Sequence, residues 1–185
     1  MKAIPSATLA VTLAALCASS ASAFTDKASG FSIIPPAGFM AKQSSHKRHD
    51  VAVVVNSTTR SPPAVNSDGT LCKLAYKSAP QNNKLTREHI NAIVSSPARI
   101  TIVKSAFERI FRISKADLFV HAGYKGLELH GTPKSGPNAA NARVFISLVE
   151  TRKGRASLIC ATASGAFASA LKDFRAIRSG MIVPD

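Results

Sequence analysis

The chain has 185 residues and a formal net charge of +14, from 24 Lys and Arg against 10 Asp and Glu. No internal repeat, heptad run or linker between domains is present, which excludes solenoid, coiled-coil and multidomain architectures. The charge favours anionic partners, although the same charge would also serve only to keep an exported protein soluble.

The first 23 residues have the pattern of a secretory signal peptide. Lys2 is followed by an apolar run over residues 4–16 and by an A-x-A cleavage site at Ala21-Ser22-Ala23. The run is shorter than the roughly 20 residues that a membrane-spanning helix needs. We therefore expect residues 1–23 to be removed and residues 24–185 to form one domain, periplasmic or secreted, with no integral membrane segment.

Two cysteines remain after that cleavage, Cys72 and Cys160. In an oxidising compartment, two cysteines predict one disulfide. Two buried free thiols are the alternative. A metal or redox role is not favoured, because the chain has no C-x-x-C motif.

The first part of the mature chain predicts short strands separated by polar loops. Residues 51–56 are apolar enough for a strand, and pairing with residues 31–34 is the simplest arrangement. Residues 71–78 alternate in the manner of a half-exposed strand. Polar loops are expected at residues 42–50 and 57–69.

Two helices are predicted next. Thr86 is a candidate N-cap for the first, and Ser96 followed by Pro97 is typical of the start of the second. Residues 100–103 are β-branched, so a strand remains an alternative there. The predicted buried stripe of the first helix consists of Ile90, Ile93 and Val94.

The last part of the chain predicts four strands and a final helix. Residues 112–121 and 126–133 precede a closing hairpin whose strands are residues 143–151 and 156–163. Ser164 is the expected N-cap of the helix, and Gly180 suits its end. The predicted apolar stripe of this helix is Phe167, Leu171, Phe174, Ile177 and Met181.

The hairpin and the final helix cannot bury their apolar faces alone, so the upstream strands must complete the layer beneath them. The order of elements therefore predicts an α+β layered sandwich, in which helices pack on a mostly antiparallel sheet. The segment Gly30-Phe31-Ser32-Ile33-Ile34-Pro35-Pro36-Ala37-Gly38-Phe39 resembles the opening of the PsbP-like family, which includes DcrB-like envelope proteins. The resemblance implies a PsbP-like fold, an accessory or binding role, no shared catalytic residues and no cofactor.

Three groups of polar residues are candidates for a site. His121, Glu128 and His130 lie on predicted neighbouring strands, where a histidine–carboxylate pair would serve a small periplasmic hydrolase or metal-dependent enzyme. His46 and His49 are weak candidates for metal ligands, because the cations between them oppose a divalent ion. The third group is basic and consists of Lys47, Arg48, Arg152, Lys153 and Arg155.

The basic group predicts an anionic envelope component or an acidic protein as the partner. Nucleic acid is not favoured, since the chain has two tyrosines and no tryptophan to stack on bases. The sequence thus favours an exported, non-enzymatic binding or accessory protein of the cell envelope. The small hydrolase or metal-binding enzyme is the alternative.

Overall fold

The computed structural model describes residues 22–136 and 138–185, so most of the predicted signal peptide lies outside the described residues. Three helices pack on a seven-stranded antiparallel sheet, which confirms the predicted fold class. The strands are β1 (Phe24–Thr25), β2 (Ser32–Ile33), β3 (Phe39–Ser44), β4 (Val51–Ser57), β5 (Cys72–Ser78), β6 (Phe111–His121), β7 (Tyr124–Pro133), β8 (Ala142–Glu150), β9 (Gly154–Ala163) and β10 (Met181–Ile182). The helices are α1 (Arg87–Ser95), α2 (Pro97–Glu108) and α3 (Phe167–Ser179).

The large sheet has the order β3-β4-β5-β9-β8-β7-β6, and every neighbouring pair is antiparallel. It therefore consists of two meanders, β3-β4-β5 and β6-β7-β8-β9, which are joined through the pairing of β5 with β9. A second, three-stranded sheet has the order β1-β2-β10. Among the described residues, no helix has the length and apolar character that crossing a membrane would require.

Helix α3 covers one face of the large sheet, which we call the sealed face. Ala170, Phe174 and Ile177 of the helix are buried, and the Phe174 and Phe145 rings lie 5.8 Å apart. Strands β4, β5 and β9 contribute further residues to the larger hydrophobic core, including Val53, Leu74, Tyr76 and Leu158. The predicted stripe of the last helix is thus largely confirmed.

The closing hairpin forms as predicted, because β8 and β9 pair over their whole length. Alternation places Phe145 on the sealed face and Ile146 on the opposite face, and both side chains are fully buried. The prediction that Ser164 caps the last helix is wrong. A 3-10 turn over Ser164–Ala166 precedes α3, and the Ser164 hydroxyl finds no partner.

The predicted disulfide is present. Cys72 of β5 and Cys160 of β9 face each other across the joint between the two meanders, and their Sγ atoms are bonded. Both residues are fully buried on the sealed face.

The predicted pairing of residues 51–56 with residues 31–34 is wrong. Strand β4 pairs with β3, so residues 42–44 belong to a strand and the predicted polar loop is shorter. The physical reason is that β3 is an edge strand, which needs only the one apolar face supplied by Phe39 and Ala41. Residues 32–33 instead pair with β1 and β10 in the small sheet.

The predicted helix starts are confirmed. Thr86 Oγ1 accepts a hydrogen bond from the His89 amide at 3.2 Å, and Ser96 Oγ accepts one from the Arg99 amide at 3.3 Å. Residues 100–103 are helical, so the strand alternative is wrong. Ile93 is 39% exposed and does not belong to the buried stripe, because α1 buries only Ile90 and Val94.

Candidate functional site: a basic end and an open sheet face

The loops that carry the predicted anion-binding residues meet at one end of the large sheet. The β3–β4 loop is tied to the end of β5, because the Asp50 carboxylate accepts hydrogen bonds from Ser78 N at 2.7 Å and Ser78 Oγ at 2.5 Å. The β8–β9 turn is tied to the same place, since Ala79 N donates to Lys153 O at 2.8 Å. We call this the basic end, and it consists of Lys47, Arg48, Arg152, Lys153 and Arg155.

Asp50 anchors the β3–β4 loop over a wide pH range. The hydrogen bonds from the Ser78 side chain and backbone lower the pKa of Asp50 to about 2. The carboxylate therefore stays ionised and bound to the end of β5 under most conditions. This anchor keeps Lys47 and Arg48 at the basic end.

Four of the five basic residues are solvent-exposed and, among the described residues, are not held in a salt bridge. Within residues 22–136 and 138–185, no carboxylate forms a salt bridge with Lys47, Arg48, Arg152 or Lys153. Arg155 differs, because its Nη2 lies 3.2 Å from Glu150 Oε1. The basic end thus has four cations outside any salt bridge in the described part of the chain and one, Arg155, that is paired with Glu150.

Glu150 lies at the centre of a small charged cluster beside the basic end. Its two carboxylate oxygens accept hydrogen bonds from Arg99 at 2.9 Å, Arg155 at 3.2 Å and Asn82 at 3.3 Å. Burial raises the pKa of Glu150, but Arg155, Asn82 and Arg99 outweigh burial and lower it. The two guanidinium groups and one carboxylate leave the cluster with one net positive charge.

The charged cluster stands at one end of an apolar cleft of about 410 Å³. Helix α2 forms one wall with Val103, Ala106 and Phe107, and the sheet forms the other with residues such as Leu148 and Ile159. We call this side of the sheet the open face, because α2 has no buried residue and covers only part of it.

The open face continues beyond the first cleft. Two further clefts, of about 340 Å³ and 290 Å³, lie beside it and share Ile159 with it. One of them extends over β4 and β5 to His46 and His49, and the other extends over β8 and β9 to Val144. The three clefts therefore lie side by side on the open face.

Glu128 and His130 come together beneath α3, on the sealed face. His130 Nε2 lies 2.9 Å from Glu128 Oε1, and the same carboxylate accepts hydrogen bonds from Arg175 Nη2 at 2.7 Å and Arg178 Nη1 at 2.5 Å. Burial raises the pKa of Glu128, but the bonds from His130, Arg175 and Arg178 outweigh it and hold the pKa well below its usual range. The carboxylate thus holds α3 to the sheet.

His121 does not join that pair. Its Nε2 lies 3.0 Å from the Met181 carbonyl oxygen, and burial lowers its pKa. None of His121, Glu128 and His130 lines the cleft or its two neighbours. The arrangement needed for the enzyme alternative, three groups converging in one concave site, is not formed by these residues.

His46 and His49 do lie together, with ring centroids 4.6 Å apart. His46 Nδ1 accepts a hydrogen bond from Arg48 N at 3.2 Å, and burial together with His46 and Lys77 lowers the pKa of His49. The neighbouring carboxylate, Asp50, is engaged by Ser78. Among the described residues, no cluster of three or more metal-ligating side chains occurs.

Sequence reasoning missed the arginines that matter most inside the fold. Arg178 is not part of the predicted apolar stripe of the last helix, yet its side chain is only 12% exposed and its guanidinium stacks on Phe119 at 3.9 Å. Arg99 is likewise not among the predicted site residues, yet it donates a hydrogen bond to Glu150 beside the cleft. Their partners, Glu128 and Glu150, lie about 50 residues away along the chain, so no local pattern could have paired them.

Solved structures of the same architecture exist. Cyanobacterial PsbP (CyanoP) from Synechocystis sp. PCC 6803 is similar with a TM-score of 0.57 and 15% sequence identity, over 94% of this chain and 98% of that one. LpqN of Mycobacterium tuberculosis, described as involved in cell envelope biogenesis, has a TM-score of 0.51 and 9% identity, over 83% of each chain.

Neither a family model nor a curated protein sequence matches the chain. The similarity to CyanoP covers 94% of this chain, and it agrees with the resemblance of residues 30–39 to the PsbP-like opening. The chain therefore has the PsbP-like fold.

Proposed function

We propose that this protein is an exported, non-enzymatic binding or accessory protein of the cell envelope, which engages an anionic partner through the basic end. The observation that carries the proposal is the convergence of four exposed, unpaired cations on two loops at one end of the sheet. The partner is an anionic envelope component or an acidic protein.

Export is supported by three independent features. Residues 1–23 have the pattern of a signal peptide, and the disulfide between Cys72 and Cys160 is typical of an oxidising compartment. The fold is shared with LpqN, which is described as involved in cell envelope biogenesis.

The chemistry of the basic end fits an extended anionic surface better than a small molecule. None of the clefts found among the described residues brings the four cations together around one space. A basic residue close to an anionic membrane contributes about 1 kcal/mol of attraction, and the contribution falls off within a Debye length. Four such residues on adjacent loops would give salt-sensitive binding to an anionic surface.

The test is binding of the mature protein to vesicles of phosphatidylglycerol and phosphatidylcholine, measured by cosedimentation. We expect affinity to fall steeply between about 0.01 M and 0.15 M salt, over which the Debye length shortens from about 30 Å to about 8 Å. Replacing all four cations by Glu should weaken binding by at least about 100-fold, given about 1 kcal/mol per residue. The substitutions are Lys47→Glu, Arg48→Glu, Arg152→Glu and Lys153→Glu.

A matched control changes the net charge equally at the opposite end of the sheet. Arg112 lies at the start of β6 and Arg143 at the start of β8, far along each strand from the basic end. The control substitutions are Arg60→Glu, Arg109→Glu, Arg112→Glu and Arg143→Glu. Equal losses in both variants would show attraction by total charge alone and would refute a role for the basic end.

The same two variants also test for an acidic protein partner. Crosslinking of the tagged protein in its own cells should capture one defined acidic protein, and the variant lacking the four cations should not capture it. The proposal would be contradicted if the variant lacking the four cations still captured that protein. It would also be contradicted if the control variant failed to capture it.

A further inference from the structure

We propose that the cleft between α2 and the open face binds the alkyl chain of a fatty acid, with Arg99 and Arg155 holding the carboxylate at the cleft mouth. This goes beyond attraction to an anionic surface, because it concerns a different ligand and, apart from Arg155, different residues. It also stands independently of whether the four exposed cations bind anything.

The first argument is the unfilled apolar surface. Ile102 of α2 lines the cleft and is 61% exposed, while Leu148 and Ile159 on the facing wall are only half-buried. An occupant that fills the cleft would remove both walls from water, which is favourable in proportion to the apolar area covered. The volume of about 410 Å³ lies within the range of about 300–1,000 Å³ that is usual for small-ligand sites.

The second argument is the distribution of polar groups along the cleft. Arg99, Glu150 and Arg155 gather at one end, and the body of the cleft is lined mainly by aliphatic and aromatic side chains. Two further clefts share Ile159 with it on the open face. A ligand that matches this distribution has one polar group at one end of a long apolar chain.

The third argument is charge. Arg99 and Arg155 each donate to Glu150, and the two guanidinium groups together carry one more charge than that carboxylate neutralises. Each guanidinium has five N–H donors in a planar fork that matches a carboxylate. The Arg99 side chain is 30% exposed and Glu150 16%, so the mouth is partly shielded from water and its charges are screened less.

A peptide is a poorer occupant than an alkyl chain. An extended peptide carries an amide donor and a carbonyl acceptor at every residue, and each must find a partner when buried. The apolar walls built from Val103, Phe107 and Leu148 offer none. The structure therefore favours a chain without internal polar groups.

The first experiment titrates the mature protein with alkyl carboxylates of increasing chain length, each below its micelle concentration, by calorimetry. We expect affinity to tighten roughly fourfold with each added methylene, as about 0.8 kcal/mol per buried CH₂ requires, until the cleft is filled. Affinity that does not change with chain length would overturn the proposal.

The second experiment blocks the cleft. Ala106→Trp fills it from α2, and Ala98→Trp is the control, because Ala98 is exposed on the same helix and does not line the cleft. We expect Ala106→Trp to abolish the dependence on chain length and Ala98→Trp to keep it, with both variants folded by circular dichroism. Unchanged binding by Ala106→Trp would contradict the assignment of the site.

The third experiment tests the mouth. The wild type should bind an alkyl carboxylate in preference to the alcohol of the same length, and Arg99→Gln should reduce that preference about tenfold, as expected for one charge-assisted hydrogen bond. An alkyl trimethylammonium that binds as tightly as the carboxylate would refute the role of the arginines.

These results are separable from the anionic-surface function. The variant that lacks Lys47, Arg48, Arg152 and Lys153 should lose vesicle binding but keep the chain-length dependence. Loss of the chain-length dependence alone would defeat the fatty-acid proposal and leave the proposed function standing.

Discussion

The sealed and open faces of the sheet are both apolar, yet only one of them is closed. On the sealed face, α3 buries Ala170, Phe174 and Ile177 against the larger core. On the open face, α2 is nearly as long and contains Ile100, Ile102, Val103 and Phe107, but buries none of them. The difference teaches that the apolar content of a helix does not by itself close a sheet face. Whether a cleft remains depends on where the large side chains lie along the helix and on how much of the sheet they contact.

The largest expected difference between the faces concerns their two phenylalanine anchors. Phe174→Ala on α3 should lower the free energy of unfolding by about 3–5 kcal/mol, as is usual for a fully buried aromatic residue. Phe107→Ala on α2 should cost about 1 kcal/mol or less, because Phe107 is only half-buried. Urea denaturation of both variants measures this. Equal costs would mean that the open face is as tightly packed as the sealed one.

The next largest effect concerns charges on the two faces. Glu128→Gln should cost about 3 kcal/mol, because it leaves Arg178 buried without its carboxylate. Asp68→Asn removes an exposed ion pair with Lys73 on the open face and should cost about 1 kcal/mol or less. Thermal unfolding of the two variants checks the contrast, and a loss for Asp68→Asn as large as that for Glu128→Gln would contradict it.

The same glutamate gives a pH dependence. Because the pKa of Glu128 is lower in the folded protein than in the unfolded chain, its contribution is fully present above the ordinary glutamate pKa. The contribution is lost as the pH falls below that value toward the folded-state pKa. Urea midpoints measured from neutral to acidic pH should therefore decline more steeply for the wild type than for Glu128→Gln. Parallel declines would show that other carboxylates control acid stability.

The smallest expected effect is on the rim of the open face. Ile102→Ser should change the free energy of unfolding by less than about 0.5 kcal/mol, as for other exposed positions. It should nevertheless weaken alkyl carboxylate binding, because Ile102 lines the cleft. A large loss of stability without any loss of binding would show that Ile102 supports the fold and not a ligand.

Local patterns predicted much of the fold. The alternation in the closing hairpin, the caps at Thr86 and Ser96 and the cysteine pair each depend on few residues, and the structure agrees with all of them. Strand pairing was harder to predict. Residues 51–56 are equally apolar whether they pair with residues 31–34 or with β3, so composition could not choose between these partners.

The candidate site was predicted only in part. The five cations of the basic end could be named because charge is visible in the sequence, but that they share one end follows from the order of strands. The cleft was not predictable, since it lies between α2 and strands that are distant from it in sequence, and no residue type indicates such a space. Likewise, the charge on Arg178 suggested exposure, whereas its burial depends on Glu128 and Phe119.

The pairing of β5 with β9 has a consequence for the order in which the protein folds. Each meander is built from neighbours in sequence, so it can assemble early, whereas β5 must wait for a partner that is made much later. Until then, Val53 and Leu74 of the first meander lack the part of the larger core that β8, β9 and α3 supply. While the chain is being made, the first meander is therefore exposed to aggregation and to proteolysis until the second half is complete.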